Sequence, residues 1–70
     1  MATLCSPMAG KVLDVLCKEG DAVTDGAEVV MLESMKMEVP VIAEGNGRVT
    51  QILVKKDDTV DAGTPLVVFE

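Results

Sequence analysis

The chain has 70 residues, enough for one small domain. Twelve acidic against six basic residues give a formal net charge of −6, and Phe69 is the only aromatic, which together exclude the basic, aromatic-studded surface of a nucleic-acid binder. With no histidine and two cysteines, Cys5 and Cys17, there is no zinc ligand set, and no apolar run approaches the length of a membrane span.

In chain order, "ATLCS" reads as a first short strand and "KVLDVL" as a second, separated by "PMAG". "KEGD" and "TDG" punctuate the chain before the apolar run "EVVMLE", and the tetrapeptide "SMKM" follows it. Next come "VPVIA", the turn "EGNG", the strand "RVTQILV", a second pair of turns at "KKDD" and "DAG", and a last strand "PLVVF". No stretch carries the three-four apolar spacing of an amphipathic helix over a useful length. The expectation is an all-β domain. Continuous runs such as "VVML" and "LVVF" do not tell which of their sides is buried.

The same order of elements occurs twice. Laid at an offset of 37 residues, "GKVLDVLCKEGDAVTDGAEVVMLE" aligns without a gap on "GRVTQILVKKDDTVDAGTPLVVFE". Gly10/Gly47, Val12/Val49, Leu16/Leu53, Lys18/Lys55, Asp21/Asp58, Val23/Val60, Gly26/Gly63, Val30/Val67 and Glu33/Glu70 are identical pairs. Upstream, Leu4-Cys5-Ser6 falls on Val41-Ile42-Ala43. Residues 1–33 are thus repeated as 38–70, and the residues outside the repeat are Ser34, Met35, Lys36 and Met37. Neither copy can bury its apolar face alone, so the two should pack about a pseudo-two-fold axis as a flattened barrel or sandwich. Residues 1–70 then form one domain in which 34–37 is a hairpin tip. Glu33 corresponds to Glu70 and Glu38 to Met1, so tip and termini should be symmetry mates at opposite poles.

A two-residue hairpin loop normally takes Asn-Gly or Asp-Gly, because both central residues need positive φ. Met-Lys is costly there, and two methionines beside an amine place apolar surface in water. Unfavourable local chemistry of this kind points to function. Nothing else in the chain suggests catalysis: there is no histidine for acid–base work and no phosphate-binding glycine loop. Asp57-Asp58 reads as a turn, Lys11, Lys18, Lys55 and Lys56 as solvated charges, and Gly10, Gly26, Gly47 and Gly63 as positions where a side chain does not fit. Both cysteines are expected to be reduced and buried. No basic region followed by an apolar stretch opens the chain, which reads as cytoplasmic.

"ESMKME", with "PMAGKV" before it and "GRVTQILVKKDDTVDAGTPLVVFE" after it, resembles the biotinyl domains of biotin-dependent carboxylases and decarboxylases. A chain of this size is most similar to biotin/lipoyl attachment proteins or to a single-domain carboxyl carrier. The family signature is Glu-Ala-Met-Lys-Met, and here the residues are Glu33-Ser34-Met35-Lys36-Met37. The resemblance implies the hammerhead fold of that family, with no thumb insertion because the overlay has no gap. It implies biotin attached covalently to Lys36, with Glu33, Ser34, Met35 and Met37 read by a biotin protein ligase. It also implies a biotin carboxylase and a carboxyltransferase as partners, between which the carrier shuttles a carboxyl group. On this reading the domain is a monomeric substrate and not a catalyst, since no base stands at the tip. Ser for Ala at position 34 is small for small. Asp57, where the first copy has Gly20, tolerates unusual turn geometry.

The main rival is a lipoyl carrier, or a protein that accepts both groups. Lipoyl domains usually carry Asp-Lys-Ala at the tip, and Met35 and Met37 argue for biotin instead. An unmodified adaptor of the same fold leaves Met-Lys-Met without a reason.

Overall fold

The computed structural model describes residues 2–70; Met1, the repeat equivalent of Glu38, lies outside them. Eight strands and no helix make up the described residues. They are β1 (Ala2–Cys5), β2 (Gly10–Val15), β3 (Ala22–Val23), β4 (Glu28–Ser34), β5 (Met37–Ile42), β6 (Gly47–Ile52), β7 (Thr59–Val60) and β8 (Pro65–Phe69). The two-residue strands β3 and β7 are absent from the sequence reading. They are too short to show alternation and pair only at Ala22↔Arg48 with Val23↔Gly47, and at Gly10↔Val60 with Lys11↔Thr59.

Two four-stranded antiparallel sheets result, ordered β1-β8-β6-β3 and β5-β4-β2-β7. Adding 37 to a residue number of the first copy carries one sheet onto the other, strand for strand. Each sheet therefore takes two strands from each copy. The copies are not two separate sheets laid together; they exchange strands. The molecule measures 31 × 19 × 18 Å along its principal axes.

The repeat extends to irregularities. Pairing slips between Val12 and Asp14 on β2 and between Val49 and Gln51 on β6, which are equivalent points. It slips again at Val29, between Glu28 and Val30, and at Leu66, between the partners of Leu4 and Cys5. A bulge breaks the two-residue period of a strand. Val29 and Val30 can consequently both be fully buried, as can Leu66 and Val67. This settles which side of the apolar runs faces inward: at the bulges, both successive side chains do. Val12, Leu32, Val41, Val49 and Val60 complete the sealed centre between the sheets.

Turns repeat as well. Asp21 Oδ2 accepts from the Lys18 amide at 2.9 Å, and Asp58 Oδ2 from the Lys55 amide at 3.0 Å. The amides of Gly20 and Asp57 donate across the molecule to the carbonyls of Val49 and Val12 at 2.7 and 2.8 Å. Gly20 (φ 92°) and Asp57 (φ 77°) share the left-handed conformation expected of that turn. Asp57 and Asp58 are turn residues, as their sequence implies. Gly26 and Gly63 are glycine for a different reason from the one expected. A Cβ at either would meet no atom within 4 Å, and what excludes other residues is φ of 86° and 88°. The cysteines also differ from expectation, for Cys17 is buried but Cys5 is exposed. Cys5 lies at the end of edge strand β1, where the register slips, and alternation there turns its side chain outward.

Candidate functional site

Strands β4 and β5 form a hairpin, paired from Glu28↔Ile42 to Ser34↔Met37. With Ser34 and Met37 as the closing pair, Met35 and Lys36 alone make the turn. Both have positive φ, 53° and 64°. This is the left-handed pair that a two-residue hairpin loop demands and that lets the turn follow the twist of its strands. For residues with a Cβ it costs about 1–2 kcal/mol each. The hairpin tolerates that cost because β4 is an inner strand, bonded to β2 on one side and to β5 on the other. Chain register therefore leaves the two turn residues no alternative.

Exposure at the tip runs opposite to hydropathy. Met35 is 92 % exposed and Met37 67 % exposed, the highest values among the described large apolar residues. Lys36 between them is exposed, Ser34 is half-buried, and Glu33 and Glu38 are exposed and directly opposite each other. Like charges in that position repel. Among the described residues the one ion pair is Lys11 Nζ to Asp57 Oδ1 at 3.6 Å, so the Lys36 amine is held by no carboxylate. Its Nζ is presented to solvent on a short rigid turn, flanked by polarizable apolar surface.

Glu33, Ser34, Met35, Lys36 and Met37 are thus contiguous at one end of one sheet. β1 and β8, which lead to the termini and pair at Ala2↔Phe69, belong to the other sheet. No other constellation competes with the tip. Among the described residues no three His, Cys, Asp or Glu side chains are grouped to hold a metal. Open depressions lined by Ile52, Leu53, Val54, Lys55 and Asp58, and by Ala2, Thr3, Leu4, Glu44 and Phe69, lie elsewhere. Lys11, Lys18, Lys55 and Lys56 are exposed within the repeats, and Lys11 is engaged with Asp57.

One neighbour of the site is a residue that sequence reasoning had grouped with other glycines. Gly10, which opens β2, lies against the Glu33 carbonyl. Its alignment with Gly47 does not set it apart, since Gly26 aligns with Gly63 in the same way; the contact with Glu33 does.

Residues 2–69 match the family described as "Biotin-requiring enzyme". The chain is 44% identical over 69 residues to the propionyl-CoA carboxylase alpha chain, mitochondrial, of Mus musculus, covering 99% of this chain and 10% of that one. Identity to the biotin/lipoyl attachment protein of Bacillus subtilis is 42%, over 93% of this chain and 89% of that protein. The biotin carboxyl carrier protein of acetyl-CoA carboxylase from Solanum lycopersicum is 41% identical over 91% of both. Among solved structures, a single-chain, multi-domain long-chain acyl-CoA carboxylase superimposes with a TM-score of 0.93 and 37% identity, over 97% of this chain and 7% of that one. The chain therefore spans about a tenth or less of the large relatives and nearly all of the small ones.

Proposed function

Because this chain belongs to the biotin-requiring enzyme family, we propose that it is a biotin carboxyl carrier whose Lys36 holds biotin in amide linkage. One observation carries the assignment: Lys36 occupies a left-handed two-residue turn between two exposed methionines, outside the repeat that accounts for every other lysine. The residues present suit the group. An attachment lysine needs a free amine, room for another protein to surround it and no competing ion pair, and the tip supplies all three.

Biotin, when bound, supplies a ring that carries a carboxyl group. The chain's own contribution is presentation. In the joining reaction Nζ forms a C–N bond to the carboxyl carbon of an activated biotin, the activating group leaves with the bonding electrons, and Nζ gives up its proton. A free lysine is protonated at neutral pH. Deprotonation is therefore the task of the ligase, and this domain is its substrate. Met35 and Met37 offer the ligase two exposed apolar contacts, and Ser34 keeps the approach to the turn small. Once modified, the side chain is a long flexible stem on a rigid base. Such a tether holds its cargo at an effective concentration on the mM scale near a partner's site.

The partners in this reading are a biotin protein ligase and the carboxylase and carboxyltransferase sites of a biotin-dependent carboxylase. The test is incubation of the protein and of Lys36→Arg with biotin, ATP and a biotin protein ligase, followed by intact mass and peptide mapping. One biotin per chain on Lys36, and none on the arginine variant, is the expected result. Arginine keeps the charge but offers no acylable amine at neutral pH, and its thermal midpoint should match that of the wild type. Label on another lysine, or lipoate accepted in preference to biotin, would overturn the assignment.

A further inference from the structure

We infer that Gly10 is a positioning residue for the Lys36 hairpin: its missing side chain lets β2 seat against the Glu33 carbonyl and so sets how the tip projects. This rests on Lys36 being the attachment lysine. Gly10 does not occupy the left-handed region, so conformational freedom is not what calls for a glycine. Space is. A Cβ at Gly10 would stand 2.7 Å from the Glu33 carbonyl oxygen, 3.4 Å from the carbonyl carbon and 3.6 Å from Ser34 Cβ. The first distance is far inside contact, and the obstructing atom is backbone, which cannot rotate away as a side chain could.

What would move is the base of the tip. Glu33 pairs with Lys11 on one side and with Glu38 on the other. A displaced Glu33 carries Ser34 with it, and the closing pair Ser34↔Met37 leaves only Met35 and Lys36 beyond. That turn has no spare residue in which to absorb a shift.

The repeat supplies an internal comparison. Gly47 opens β6 as Gly10 opens β2, and a Cβ there would meet the Glu70 carbonyl oxygen at 3.1 Å and Phe69 Cβ at 3.5 Å. Glu70 exchanges backbone hydrogen bonds with Arg48 at 3.0 and 3.1 Å and lies outside the β4–β5 hairpin, so a shift there is not passed to the tip. One local geometry thus occurs twice. In one copy it abuts the residue that leads into the tip, and in the other a residue outside the hairpin.

The experiment measures initial rates of biotinylation by a biotin protein ligase against carrier concentration for wild type, Gly10→Ala and Gly47→Ala. Amide spectra and thermal midpoints are recorded for all three. For Gly10→Ala, kcat/KM should fall about tenfold or more, since misplacements well below 1 Å are costly to an aligned reaction. The amides of Ser34, Met35, Lys36 and Met37 should shift. Gly47→Ala should be labelled like wild type, with its tip amides unmoved. Acylation of Lys36 by a small N-hydroxysuccinimide ester, which reads exposure and not geometry, should be equal in all three. Wild-type rates for Gly10→Ala would overturn the inference and leave the carrier reading intact. So would unfolding of Gly10→Ala, an equal loss in Gly47→Ala, or a parallel loss of acylation by the ester. A wild-type chain that takes no biotin would instead bring down the carrier reading, and this inference with it.

Discussion

At the scale of single residues, the two cysteines stand in opposite environments, one buried and one exposed. Cys17 is buried where the second copy has Val54, and it packs among the core side chains as a small hydrophobe. Burial, with a smaller contribution from the Asp21 carboxylate, pushes its thiol above the ordinary thiol range. The unfolded chain therefore releases this proton first as pH rises, and the stability held by the neutral buried thiol is lost through the alkaline range. Thermal midpoints measured from pH 7 upward should fall past the ordinary thiol pKa. In Cys17→Val the part of that fall due to the thiol should disappear, at a cost near neutral pH below about 1.5 kcal/mol. Identical pH profiles for wild type and variant would refute this. Exposed Cys5 should react with iodoacetamide in the native protein while Cys17 stays protected.

The element that matters is the β4–β5 hairpin, and its turn conflicts with local preference. Met35 and Lys36 hold a conformation that asparagine or glycine adopts more readily. Met35→Asn should therefore raise stability by about 1 kcal/mol, read as a higher denaturant midpoint at unchanged slope. If Met35 is also a contact for the ligase, the same variant should be biotinylated more slowly. A more stable domain that is a poorer substrate would show strain and apolar exposure being kept for recognition. Unchanged labelling would mean that the ligase reads the turn's shape and not its methionine.

For the whole molecule, strand exchange between the copies makes each copy dependent on the other. Each sheet needs β1 and β3, or β2 and β4, from the first copy beside two strands of the second. Peptides 1–33 and 38–70 should each lack β-sheet circular dichroism when alone, being below the size at which an uncross-linked chain builds its own core. A stably folded single peptide would contradict this account. The shared architecture also explains how Asp57 can stand where the first copy has Gly20. Its turn is bonded across to Val12, just as Gly20 is bonded to Val49, and the frame holds it at φ 77°.

The sequence by itself determined the all-β class, the two copies, the place of the hairpin tip and the singularity of Lys36. Those follow from signals carried by consecutive residues: alternation, turn chemistry, an ungapped offset and two methionines flanking a lysine where a polar turn belongs. What only the tertiary structure decided depends on contacts between residues far apart in the chain. Strands β3 and β7 exist because β6 and β2 run beside them, not because two residues favour extension. Val29 and Leu66 turn inward because bulges against β5 and β1 place them there. Gly10 is distinguished from Gly26 by a carbonyl 23 positions away, that of Glu33, whereas Gly26 is distinguished by its own φ. A residue's backbone preference can be read from its type and its neighbours, but the space left for its side chain belongs to whatever the fold brings against it.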